Sequence, residues 1–120
     1  MLFRSALVNA AGEARQAVVG TLKDRGRDAA LLDDVRLVVT ELAANAVVHA
    51  RSSFWVSVRE EGPTVRIRVG DRSPVAPAMR DASSSRVSGR GLRLIAGLAA
   101  RWGVDFKNDG KVVWVELNGS

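Results

Sequence analysis

The sequence predicts an α+β domain, and three observations carry that reading. Apolar residues recur at helical spacing from about Gly12 to Arg25 and again from Asp33 or Asp34 to about His49. Apolar and polar residues alternate through Phe54–Arg59 and again from Val65 to Val69, as in strands with one wet face. Near the end, Asn108-Asp109-Gly110 joins Val104–Lys107 to Val112–Leu117 with the turn chemistry of a tight hairpin.

In chain order, the first helix places Ala14, Ala17, Val18, Thr21 and Leu22 at helical spacing, and Gly26 supplies its stop. Asp33 or Asp34 gives the second helix an acidic start, with Val35, Val38, Val39, Leu42 and Ala46 turned to a core. Ser52-Ser53 breaks it. A turn at Glu60-Glu61-Gly62-Pro63 then pairs the two strands as a hairpin. Asp71 has the parity of Val65, Ile67 and Val69, so its carboxylate points to the core side and needs a dedicated partner. From Arg72 to Ser88, Pro74, Pro77 and Ser83-Ser84-Ser85 interrupt any period, which predicts a long loop of the kind that serves as a lid. Beyond Ser88-Gly89-Arg90-Gly91, a third helix runs from Leu92 to about Arg101.

The bulk properties bound the function. With 120 residues, 47% of them apolar and 26% charged, residues 1–120 are expected to form one globular domain. There is no cysteine, so disulfides and thiolate metal sites are excluded, in keeping with a reducing cytoplasm. No stretch approaches the roughly 20 apolar residues of a membrane span, and the start lacks the apolar length of a signal peptide. The balance of 18 Lys and Arg against 13 Asp and Glu gives +5, but the cations are scattered rather than clustered. That spacing weighs against direct nucleic-acid binding and leaves a field suited to a polyphosphate or an acidic partner.

The chemistry concentrates on one helical stripe. Glu41, Asn45 and His49 are four residues apart, and each step of about 400° leaves them on one face of an otherwise apolar helix. A buried carboxylate and amide require partners or a ligand. The Asn45 oxygen suits Mg²⁺ when phosphates and waters complete the shell, and Glu41 could activate an attacking hydroxyl. Alternatively the two pair with backbone or arginines, and His49 completes the helix end. Asp71 could accept the exocyclic amine of adenine or pair with an arginine. Gly89 and Gly91, with Arg90 between them, sit where a helix N-terminus can receive phosphate.

Taken in order, the stripe, the hairpin ending in Asp71-Arg72-Ser73-Pro74, the proline-bearing loop and Gly89-Arg90-Gly91-Leu92 resemble the GHKL ATPase superfamily. Within it, Glu41-Leu42-Ala43-Ala44-Asn45-Ala46-Val47-Val48-His49-Ala50 looks like the bacterial anti-sigma-factor serine/threonine kinases. The resemblance runs from about Glu13 to Leu117. It implies an α/β (α+β two-layer) sandwich of Bergerat type, a mostly antiparallel sheet covered on one face by helices, with residues 72–88 as the ATP lid. It also implies that Asn45 coordinates Mg²⁺, Glu41 is the catalytic carboxylate and Asp71 reads adenine, with Ser73 beside it. Gly89, Arg90, Gly91 and Leu92 match the segment that wraps the phosphates of ATP. The activity implied is phosphorylation of an anti-anti-sigma (STAS-type) protein and, as a homodimer, sequestration of a sigma factor, without direct contact to nucleic acid or membrane.

Two departures qualify the resemblance. Relatives often carry a threonine in the final hairpin, where Val112 offers no hydroxyl to the adenine network and so predicts weaker ATP binding. Residues 1–9 match poorly the opening strand of such domains. Two other functions compete with the kinase reading: a catalytically weak or inactive nucleotide- and partner-binding regulatory module, and a basic nucleic-acid binder.

Overall fold

A computed structural model describes residues 2–5, 10–50, 54–72 and 87–119. The elements are β1 (Leu2–Ser5), α1 (Ala10–Asp24), α2 (Ala29–Ala50), β2 (Phe54–Glu61), β3 (Thr64–Asp71), α3 (Val87–Leu98), β4 (Arg101–Lys107) and β5 (Gly110–Asn118). All strand pairs are antiparallel, in the sheet order β1-β2-β3-β5-β4. The expected α+β architecture is therefore present, with the helices on one face of the sheet.

The core is the interface between the layers. Val56, Val58, Val65, Ile67, Val69, Val113, Val115 and Leu117 alternate along their strands and bury the helix-facing side. Val18 and Leu22 of α1, Val35, Val38, Val39 and Leu42 of α2 and Ile95 of α3 close over them. Each such side chain contributes about 1.5–3 kcal/mol by leaving water. Helix α2 is the central element: it packs against α1, α3, β2, β3 and β5.

Local chemistry sets the boundaries. Gly26 has φ +79°, the Arg27 amide donates to the Leu22 carbonyl (3.2 Å) and the Gly26 amide to that of Lys23 (3.0 Å), a Schellman closure of α1. Helix α2 starts at Ala29 rather than at Asp33 or Asp34, because Asp28 caps it: Oδ1 accepts from the Leu31 amide at 3.2 Å. Helix α3 starts at Val87, so Gly89 and Gly91 lie inside its first turns rather than before it. It also ends at Leu98, and Arg101 opens β4 instead of closing the helix. Strand β2 extends to Glu61, which leaves Gly62-Pro63 as the turn.

At the amino end, Leu2–Ser5 pairs with β2, Phe3 opposite Val56 and Ser5 opposite Phe54, and supplies an opening edge strand despite the poor match of residues 1–9. Most of the predicted lid, residues 73–86, lies outside the described residues, whereas Val87 and Ser88 are helical rather than loop.

Candidate nucleotide site

Glu41 and Asn45 project from the buried helix α2, one turn apart. Asn45 is only 2% exposed, yet neither its Oδ1 nor its Nδ2 has a hydrogen-bond partner. The Oε2 atom of Glu41 is likewise buried and unpartnered, and burial raises the carboxyl's pKa above the usual range. Leaving one buried polar group unsatisfied costs about 1–3 kcal/mol, so three such atoms on one stripe are a poor structural solution. They suit a ligand: the Asn45 oxygen can meet a cation, its NH₂ can donate to an anion, and Glu41 can accept a proton. The side chain of His49 lies outside the described ones. Among the described residues no group of three or more His, Cys, Asp or Glu side chains converges to hold a metal ion. A cation beside Asn45 would thus need phosphate oxygens and waters to complete its shell.

Asp71 ends β3 on the helix-facing side, as its parity predicts. Its partner is a lysine rather than an arginine. Lys111 stands directly opposite in the β3–β5 register and donates from Nζ to Oδ1 and Oδ2, each at 3.0 Å. Both side chains are essentially removed from water, at 1% for Lys111 and 3% for Asp71. Val112, where relatives often carry a threonine, pairs with Gly70 on the other side of the sheet and lines a cavity together with Asp71. The residue facing Asp71 is therefore Lys111, which the sequence reading missed. The hairpin parity, Lys111 with Val113, Val115 and Leu117, held that information.

A cavity of about 390 Å³ opens at this end of the sheet, and Asp71, Arg72 and Lys111 line it with Phe54 and Trp55. Glu41 and Asn45 do not line it. Helix α2 packs on both β3 and α3, the elements that carry Asp71 and the glycines. Gly89, Arg90, Gly91 and Leu92 lie in the first turns of α3; the helix's leading amides have no carbonyl of their own helix to bond, but Gly91 and Leu92 come after them. Ser73 lies outside the described residues.

Residues 4–117 match the histidine kinase-like ATPase domain. The chain belongs to the histidine kinase-like ATPase family. Membership in that family implies ATP binding. No curated protein matches the chain significantly.

Solved histidine kinase-like ATPases and related structures share the fold. The RsbU and RsbW domains of Rv1364c from Mycobacterium tuberculosis superpose with TM-score 0.69 at 19% identity, covering 99% of this chain and 32% of that one. The SiaB-SiaC complex from Pseudomonas aeruginosa gives 0.59 at 15% identity over 98% of this chain and 88% of the other. A blue-light activated histidine kinase domain from Erythrobacter litoralis gives 0.52 at 26% identity, covering 71% and 43%. The chain thus spans about a third of the Rv1364c structure it resembles. Among the described residues, no helix is long and apolar enough to cross a membrane.

Proposed function

We propose that this chain is a Mg²⁺- and ATP-dependent protein serine/threonine kinase acting in the cytoplasm on an anti-anti-sigma (STAS-type) partner, and that it also holds a sigma factor as a homodimer. The observation that carries the reading is the trio of buried, unpartnered polar atoms on Glu41 and Asn45. They stand at the stripe where the histidine kinase-like resemblance puts metal binding and catalysis. Two neighbours support the regulatory side: one includes an RsbW domain, the other a SiaB-SiaC complex.

In this reading Asn45 holds Mg²⁺, and Asp71, with Ser73 beside it, receives the adenine amine. Gly89, Arg90, Gly91 and Leu92 wrap the phosphates, the leading amides of α3 and its dipole offsetting negative charge. The metal, when bound, supplies charge neutralisation between the phosphates. Glu41 serves as general base: its raised pKa makes it a better proton acceptor than an exposed carboxylate. The partner's hydroxyl proton passes to Glu41 as the seryl oxygen bonds phosphorus, and ADP leaves with the electrons of the broken bond.

The test is phosphate transfer from labelled ATP to a small anti-anti-sigma protein. Wild type transfers and Glu41→Ala loses at least about a hundredfold in rate, the usual lower range for a general base. Unchanged transfer in the variant removes Glu41 from the chemistry.

One observation favours a second reading, a binding module without turnover. Asp71 is already held at both oxygens by Lys111, which competes with a base for that carboxylate. Calorimetry with Mg·ATP decides between the two: heat of binding without ADP production supports the module.

A further inference from the structure

The sheet face away from the helices carries a second cluster, which shares Trp55, Gly70 and Arg68 with the lining of the larger cavity and extends from there to Arg59 and Trp114. Trp55 lies against Gly70, its register partner, so closely that a β-carbon there would overlap the ring. Trp114 lies likewise on Gly103, whose added β-carbon would come within 2.7 Å of the indole. Each ring also carries arginine: Arg68 sits over Trp55 at 5.2 Å, and Arg66 over Trp114 at 4.8 Å. Glycine backbone on one side and guanidinium on the other thus sandwich each indole and hold the two arginines in place on this face.

Opposite charges meet on one part of this face, where Glu116 stands opposite both Arg66 and Arg101 and pairs with them at 3.8 and 3.2 Å, but one pair is arranged against stability. Arg59 stands directly opposite Arg66 across β2 and β3, with Arg68 one same-face position further along. Like charges directly opposite destabilise a sheet. A cavity of about 190 Å³ opens among Ser57, Arg59, Arg66, Arg68 and Asp105, three guanidiniums against one carboxylate. Among the described residues no ion pair reaches Arg59 or Arg68, and the Arg66 Nε is buried without a hydrogen bond, its nearest acid, Glu116, lying at 3.8 Å.

We infer that this face docks an acidic polypeptide segment of a partner protein, whose Asp or Glu side chains enter the Arg59–Arg66–Arg68 cavity. Rigid, planar guanidiniums match carboxylates with paired hydrogen bonds, and Trp and Arg are the side chains that dominate protein interfaces. A second copy of the chain is the wrong occupant, since a two-fold contact would set the same cations against each other. Single-stranded nucleic acid fits less well, because the indole faces that would stack bases are covered and Asp105 and Glu116 share the face. The inference needs no bound nucleotide and stands apart from the kinase reading.

The test titrates the full chain with a dodecameric oligoglutamate and, separately, a thymidine dodecamer, following tryptophan fluorescence at low salt. The peptide binds wild type more tightly than the oligonucleotide. Arg59→Ser/Arg68→Ser weakens the peptide by about tenfold or more, while Lys23→Ser/Arg36→Ser, which removes two exposed helix cations, changes it less than about twofold. A melting temperature of the patch variant at or above that of wild type shows that it folds and that the arginine opposition is relieved. Equal losses in the two variants, no peptide binding to wild type, or tighter binding of the oligonucleotide each overturn the proposal.

Discussion

Lys111 and Asp71 form a buried, two-pronged ion pair that ties the end of β3 to the start of β5, with Nζ 3.0 Å from each carboxylate oxygen. Such a pair gains little over an apolar contact but becomes costly when half of it is removed. Lys111→Met is therefore expected to lose about 3–5 kcal/mol in urea denaturation. Asp71→Asn with Lys111→Met should recover much of that loss, because no charge then remains buried. A single variant as stable as wild type contradicts the pairing.

Glu41 gives the molecule a pH signature. Its pKa is raised by burial in the folded state, so the native protein binds the proton more readily than the unfolded chain. Between the unfolded and folded pKa values the native state holds more protons, and stability from this group falls as pH rises through that window. The penalty is complete above the raised pKa and absent below the ordinary carboxylate range. Melting curves of wild type and Glu41→Gln should therefore converge in acid and separate above it, with the variant the more stable. Curves that stay parallel across the whole range contradict the assignment.

On the proposed reading, Asn45 gives up stability for ligand binding. Its amide has no partner, so Asn45→Leu replaces an unsatisfied polar group by an apolar one of similar size in a surround that includes Leu42 and Ala46. A gain of about 1 kcal/mol is expected, as at other sites where function keeps a residue that folding alone would not choose. Thermal denaturation without nucleotide checks it, and a marked loss of stability would mean that the amide has a structural partner.

Much of this was legible in the sequence because period and parity report which side of an element is buried. Asp71 was placed on the core side from its parity with Val65, Ile67 and Val69, and Gly26 was recognised as the stop of α1. Lys111 was not identified as the partner, because it lies 40 residues further along and only strand register brings it opposite. Two glycines within four residues are poor helix formers, which put the predicted start of α3 after Gly91, whereas the observed helix runs through them from Val87. Strand β1 is four residues long and exists through its pairing with β2, so no period announces it. Arg59, Arg66 and Arg68 read as scattered surface charge until the antiparallel pairing gathers them on one face. The stripe of Glu41 and Asn45 was readable because one helix contains it.

The central claim is that a magnesium nucleotide satisfies the buried amide of Asn45. Isothermal titration of wild type and Asn45→Ala with a nonhydrolysable ATP analogue, with and without Mg²⁺, tests it directly. Magnesium-dependent binding to wild type is expected, with a loss of about tenfold or more in the variant, the cost of removing one well-placed polar contact. Equal affinity in the two proteins, or binding indifferent to magnesium, would contradict it.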